Sequence, residues 1–247
     1  MTDSVAFVTP CFLSFLALFC ILYLNQLTER GNFMKNRRLL FISVAALVAF
    51  MVWTMLVRFV DVRAIGPDGS AVGFATLNRY IHDLTGVHMW LYTLTDWLGL
   101  LPFAVAFGFA VWGLIQWISR KSILKVDRSI LVLGVFYVAV IAAYVFFEFV
   151  VVNYRPVLIG GVLEASYPSS TTMLLMCVMP TAIMQFKERI NNKILKWTVI
   201  IIIFVFTAFM VVARLISGVH WFSDIIGGAL LSVSLVSAYA WGNKISK

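Results

Sequence analysis

Long apolar stretches separated by short basic loops constrain this chain more than any other feature. An α-helix needs about 20 consecutive apolar residues to cross the hydrocarbon core of a bilayer. Seven such runs are present, at 7–27, 39–60, 97–118, 130–152, 169–186, 197–216 and 222–241. In lipid the backbone must satisfy its own hydrogen bonds, so runs of this length imply helices. The expected fold class is all-α, a polytopic membrane helical bundle. Composition agrees: 62% of the 247 residues are hydrophobic, 12% are charged, and the mean hydropathy is +0.97. A soluble domain carries nearer a quarter charged residues.

The net charge of +8 could point to nucleic acid, but its distribution points to a membrane. Fourteen of the 19 Lys and Arg fall in 29–38, 119–128, 187–196 and the C-terminal tail. The positive-inside rule makes those segments cytoplasmic. Seven spans then put the N-terminus outside and the C-terminus inside, in a multi-pass protein of the cytoplasmic membrane. The partners this implies are the bilayer and its lipids, with no nucleic acid. Cys11, Cys20 and Cys177 lie in apolar runs without metal-ligand spacing and read as small buried hydrophobes. No basic stretch precedes the first run, so a cleavable signal peptide is not expected.

Residues 61–96 do not read as a span. Ile65-Gly66-Pro67-Asp68-Gly69 is turn chemistry. Residues 78–92 mix Arg79, His82, Asp83 and His88 with Tyr80, Trp90 and Tyr92, which suits short helices at the membrane surface. They read either as a cover over a lipid site or as an ordinary interfacial loop, with His82 and His88 as interfacial residues.

The chemistry concentrates at three junctions that this topology puts on the outer face. The most specific is Ala213-Arg214-Leu215-Ile216-Ser217-Gly218-Val219-His220-Trp221-Phe222-Ser223-Asp224, between the last two spans. Titratable residues are costly at such a place and are functional candidates by default. Arg can grip a phosphate, His can attack phosphorus and Asp can orient the His. The other junctions are Glu148-Phe149-Val150-Val151-Val152-Asn153-Tyr154-Arg155-Pro156 and Tyr167-Pro168-Ser169-Ser170-Thr171.

In order and spacing these junctions resemble the type 2 phosphatidic acid phosphatases, the membrane branch of the acid phosphatase and vanadium haloperoxidase superfamily. That family carries Lys-x6-Arg-Pro, then Pro-Ser-Gly-His, then Ser-Arg-x5-His-x3-Asp. Arg155-Pro156, Pro168-Ser169 and Arg214, His220 and Asp224 match. The resemblance covers about 39–241 and implies a six-span phosphatase-like core plus one extra N-terminal span. It divides the chain into 1–38, the extra span and its basic loop, and 39–247, the lipid-phosphatase-like domain.

The resemblance also implies roles. His220 would be the nucleophile that forms a phosphohistidine, Asp224 its orienter, and Arg155 and Arg214 a phosphate clamp. Ser169 and Ser170 would bind phosphate oxygens with the amides that open the fifth span, although helix capping explains the same serines. No metal or other cofactor is implied. Three positions depart from the pattern: Glu148 replaces Lys, Ser170-Thr171 replaces Gly-His, and Ala213 replaces Ser. Thr171 is too weak an acid to replace the family's general acid. Glu148 lies about two helical turns before Arg155. It reads as a carboxylate paired with an arginine or as a substitute acid.

The lost acid bears on the substrate. An alkoxide leaving group needs protonation, worth roughly 10²–10⁴-fold. Phosphate leaving from a diphosphate is already a good leaving group, with a second pKa of about 6. The expected activity is metal-independent hydrolysis of a lipid phosphate, tilted toward polyprenyl diphosphates over phosphatidate-type monoesters. The rivals are a degenerate member that binds or moves lipid phosphates, and a lipid phosphotransferase. An unrelated transporter is disfavoured, because no broken-helix repeat is visible. Gly227, Gly228 and Ser232 read as small residues that let helices pack closely.

Overall fold

The structure is a computed structural model, and it describes residues 33–245. Cys11, Cys20 and the span expected at 7–27 lie outside the described residues. Eight helices carry the described fold: α1 (Phe33–Phe59), α2 (Ala75–Thr85), α3 (Met89–Leu98), α4 (Leu100–Arg120), α5 (Arg128–Phe149), α6 (Ser170–Arg189), α7 (Lys193–Ile216) and α8 (Phe222–Ile245). A two-stranded antiparallel hairpin, β1 (Arg63–Ala64) and β2 (Ala71–Val72), is the one sheet among them and was not anticipated. It closes around the Pro67–Gly69 turn that the sequence signalled.

Among the described residues, five helical stretches are long and apolar enough to cross a membrane: Arg37–Phe59, Met89–Arg120, Arg128–Phe149, Lys193–Ile216 and Phe222–Ile245. The protein is multi-pass. The expected span at 169–186 is a helix, α6, but it is not among those five. Its position explains its composition. Buried residues run along nearly its whole length, from Thr172 to Gln185, so it faces protein rather than lipid. The span expected at 97–118 instead begins at Met89 and breaks at Gly99. Pro102 cannot donate to the carbonyl of Leu98, which separates the short α3 from α4. Residues 78–92 fall in two short helices, as expected, but the second, α3, belongs to the apolar stretch from Met89 and not to a separate surface segment.

α8 is the spine of the bundle and packs on α1, α5 and α6. Gly227 and Gly228 make this possible. A Cβ on Gly227 would lie 2.6 Å from the Tyr167 ring, and one on Gly228 would lie 2.9 Å from the Ser169 carbonyl. Ser232 donates to the carbonyl of Met173 on α6 at 3.1 Å. The close-packing reading of all three residues holds. Ser43 and Ser234 exchange hydroxyl-to-carbonyl bonds at 3.0 and 2.9 Å and tie α1 to α8. Such reciprocal bonds satisfy hydroxyls where water is absent. Outward faces carry large apolar side chains, such as Phe41, Phe107, Val135 and Ile202. Cys177 is buried, as expected of a small hydrophobe.

The two ends of the bundle differ. At one end, Arg120 donates to Asp127 at 2.8 Å, and Gln116 bridges to the same carboxylate at 2.9 Å. This closes the α4–α5 turn. At the other end lie the C-termini of α1, α5 and α7, the N-termini of α6 and α8, the hairpin and α2. All three sequence junctions sit there.

Candidate functional site

Arg155 reaches the site from a non-helical segment. α5 stops at Phe149, and the chain folds back on itself through the Tyr154–Ala165 and Ile159–Val162 bridges. Gly160 and Gly161, at φ 59° and 81°, turn it. The Arg155 amide donates to the Glu164 carbonyl at 3.0 Å, and the Ser166 amide to the Asn153 carbonyl at 2.9 Å. The Arg155 side chain is thereby fixed beneath this hairpin loop. Its Nε lies 2.9 Å from Glu164 and its Nη1 lies 3.2 Å from His220 Nε2.

This corrects the reading of Glu148. The expected pairing with Arg155, two helical turns on, does not form: the helix ends between the two residues and Glu164 takes the arginine instead. Glu148 is exposed in the last turn of α5, beside Tyr144. It shares a small pocket with Ser166 and Ser170, adjacent to the site rather than inside the clamp.

Arg214 comes from the last turn of α7 and is only 2% exposed. Its Nη1 donates to Thr95 at 3.1 Å, its Nη2 lies 3.7 Å from Asp96, and its guanidinium sits 4.9 Å from the Tyr92 ring centroid. All three partners are on α3. After Arg214, Gly218 turns the chain at φ 70°, where a Cβ would lie 2.1 Å from the Gly86 carbonyl oxygen. Only glycine fits that approach. His82 contacts the Gly218 carbonyl at 3.2 Å, and the His88 amide donates to the Ser217 carbonyl at 3.0 Å. The two histidines therefore support the turn that carries His220.

His220 and Asp224 are 3% and 0% exposed. Arginine can only donate, so the Arg155 contact makes His220 Nε2 the acceptor and puts the ring proton on Nδ1. Nδ1 faces Asp224 Oδ2 at 3.9 Å, longer than a hydrogen bond. Burial, then the charges of Arg155 and Arg214, hold the His220 pKa well below the usual histidine range. The ring is neutral at neutral pH, with its Nε2 lone pair toward the arginine. Asp224 is oriented by the Trp221 amide at 2.9 Å and the Asn153 side chain at 3.3 Å. Asn78 donates to Ser223 Oγ at 2.9 Å and accepts from the Ser223 amide at 3.1 Å, which locks the start of α8.

Ser169, Ser170 and Thr171 open α6. Ser169 is buried, with its hydroxyl against that of Thr172 at 3.0 Å and its amide on the Asp224 carbonyl at 3.0 Å. Its hydroxyl does not cap the helix. The amides of Ser170, Thr171 and Thr172 have no acceptor within the helix, as in any first turn, and favour an anion. Thr171 faces the α3–α4 break: its Cγ2 lies 3.6 Å from where a Gly99 Cβ would stand. Among the described residues no cluster of His, Cys, Asp and Glu could hold a metal ion.

His220, Asp224, Arg155 and Arg214 are thus brought together, with Ser169 tied to Asp224 through its backbone. Glu164, Asn153, Asn78, Thr95, Asp96 and Tyr92 were not anticipated as partners. Only the Tyr92–Asp96 segment carried a signal, polar groups one helical turn apart just before an apolar run.

Comparisons with known proteins bear on this arrangement. Residues 147–246 match the PAP2 superfamily. No curated protein is significantly similar to the chain. A solved structure, the transmembrane PAP2-type phosphatidylglycerolphosphate phosphatase from Bacillus subtilis, aligns over 81% of this chain and 94% of its own, with a TM-score of 0.53 and 19% identity. At that identity the likeness is one of fold. Motif order, a family match that spans all three motifs and a shared transmembrane fold agree: residues 147–246 of this multi-pass membrane protein are similar to the PAP2 superfamily, and the chain has the fold of a transmembrane PAP2-type structure.

Proposed function

We propose that this protein is a metal-independent lipid phosphatase that acts at the outer membrane face through a phosphohistidine on His220. The observation that carries the reading is the contact between Arg155 Nη1 and His220 Nε2, 3.2 Å apart, with Arg214 buried in the same site. A phosphoryl group bound by both guanidiniums would lie against the Nε2 lone pair. Nε2 attacks phosphorus, the bond to the leaving oxygen breaks, and Asp224 stabilises the imidazolium through Nδ1–H. Water then attacks the phosphohistidine, releases phosphate and restores the neutral ring. The α6 amides and the arginines hold the equatorial oxygens.

The substrate class follows from Thr171. With a hydroxyl where the family has its acid, lipid diphosphates are the favoured substrates, because their leaving phosphate needs little protonation. The relative from Bacillus subtilis is described as acting on phosphatidylglycerolphosphate, a monoester. A phosphorylated membrane lipid is the shared feature. The test is phosphate release by the purified full chain in detergent from a panel of lipid mono- and diphosphates, with His220→Ala beside it. Release from diphosphates that His220→Ala abolishes is the expected result. Retained release in that variant overturns the covalent mechanism. A wild type that binds lipid phosphates but cleaves neither class is a binding protein.

A further inference from the structure

Each arginine of the candidate clamp is met by a carboxylate from outside the three motifs. Glu164 lies 2.9 Å from Arg155 Nε, and Asp96 lies 3.7 Å from Arg214 Nη2. The burial is lopsided. The arginine side chains are 11% and 2% exposed, against 42% and 60% for Glu164 and Asp96. The acids are therefore the exposed partners of two buried guanidiniums. A carboxylate and a phosphate seek the same in-plane N–H groups. Neither acid is locked in place. Arg155 Nε makes no aligned hydrogen bond despite the short ionic contact, and 3.7 Å is beyond hydrogen-bond length. Both acids are tethered beside their arginines, Glu164 through its carbonyl to the Arg155 amide and Asp96 one residue from Thr95, which holds Arg214.

Resting on the phosphatase reading, we propose that Glu164 and Asp96 are built-in competitors for Arg155 and Arg214 that set the site's headgroup specificity. They admit headgroups rich in negative charge, such as diphosphates, and refuse singly charged phosphodiesters. A protein in a bilayer faces a large excess of phosphodiester lipids. A phosphodiester brings one negative charge and gains little by exchanging with two tethered carboxylates. A diphosphate brings more charge and more oxygens. Discrimination arises from what the site repels as much as from what it binds.

The test is calorimetric binding of pyrophosphate, inorganic phosphate and dimethyl phosphate to the full chain in detergent. Wild type is expected to bind pyrophosphate much more tightly than dimethyl phosphate. Asp96→Asn and Glu164→Gln should each tighten inorganic phosphate by about two- to fivefold, the scale of a partly exposed ion pair. The double variant should narrow the pyrophosphate to dimethyl phosphate ratio. Asp83→Asn, which removes an exposed acid on α2 outside the clamp, controls for net charge. Equal tightening by Asp83→Asn, or weaker or unchanged binding in folded Asp96→Asn and Glu164→Gln, overturns the proposal. A wild-type ratio near unity does so without any variant. Phosphate binding that survives Arg214→Ala and Arg155→Ala removes the clamp itself, and the proposal falls with it for that separate reason.

Discussion

At the scale of the residue, His220 combines a nucleophile's requirements with a cost in stability. Burial first, and then Arg155 and Arg214, disfavour its protonated form. The unfolded chain binds this proton near pH 6.5, and the folded chain only at lower pH. The contribution to stability is therefore full above that value and lost progressively as pH falls below it. The same shift keeps the nucleophile unprotonated, so the acid limb of kcat/KM should lie below pH 6.5. A pH–rate profile checks this, and an acid limb at or above 6.5 contradicts it. Thr171 gives a second prediction. Thr171→His should raise turnover of lipid monoesters more than of diphosphates, because only the poor leaving group gains much from an acid. Phosphate release from both substrate classes decides it, in protein that still elutes as a single species. Spacing within one junction made Arg214, His220 and Asp224 legible in the sequence. Glu164 was not legible, because it meets Arg155 across a hairpin loop that no local pattern links to the site, and the polar spacing around Asp96 gave no hint that its partner is Arg214 on another helix.

At the scale of the element, the site depends on backbones that approach one another closely. α8 lies against the start of α6 because Gly228 presents no Cβ to the Ser169 carbonyl, 2.9 Å from where one would stand. Gly228→Ala should lower stability by about 1–3 kcal/mol, the usual cost of overpacking. Gly218→Ala should be more harmful, since it adds strain at φ 70° to a 2.1 Å clash with the Gly86 carbonyl oxygen. Thermal unfolding in detergent ranks the two, and a Gly218→Ala variant as stable as wild type would refute the argument. The glycine pair in the last span was legible as a packing surface. The misplacement of Glu148 has the opposite lesson. Apolar Val150, Val151 and Val152 extended the fourth run on paper, yet α5 ends at Phe149 and the chain turns to form the Arg155 loop. Hydropathy does not mark where a helix stops when the next residues are equally apolar.

At the scale of the whole molecule, function depends on which side of the membrane carries the site. The bundle puts all three junctions at one end and the Arg120–Asp127 and Arg189 cluster at the other. That much was legible, because loop charge alternates along the chain. α6 was harder to read: a helix surrounded by protein has no need of lipid-compatible side chains, so its hydropathy understates its place at the centre. The direction of insertion rests on the positive-inside rule, with Lys187, Arg189, Lys193 and Lys196 grouped opposite the site. Single cysteines at Val162 and Lys193 report on it, since both residues are exposed and lie at opposite ends. In a background with Cys11, Cys20 and Cys177 replaced, a membrane-impermeant thiol reagent should label Val162→Cys in intact cells. Lys193→Cys should label only after the membrane is opened. The reverse pattern would put the phosphate clamp on the cytoplasmic side and change the pool of lipid it can meet. Equal labelling of both in intact cells would contradict the multi-pass topology on which the outer-face reading depends.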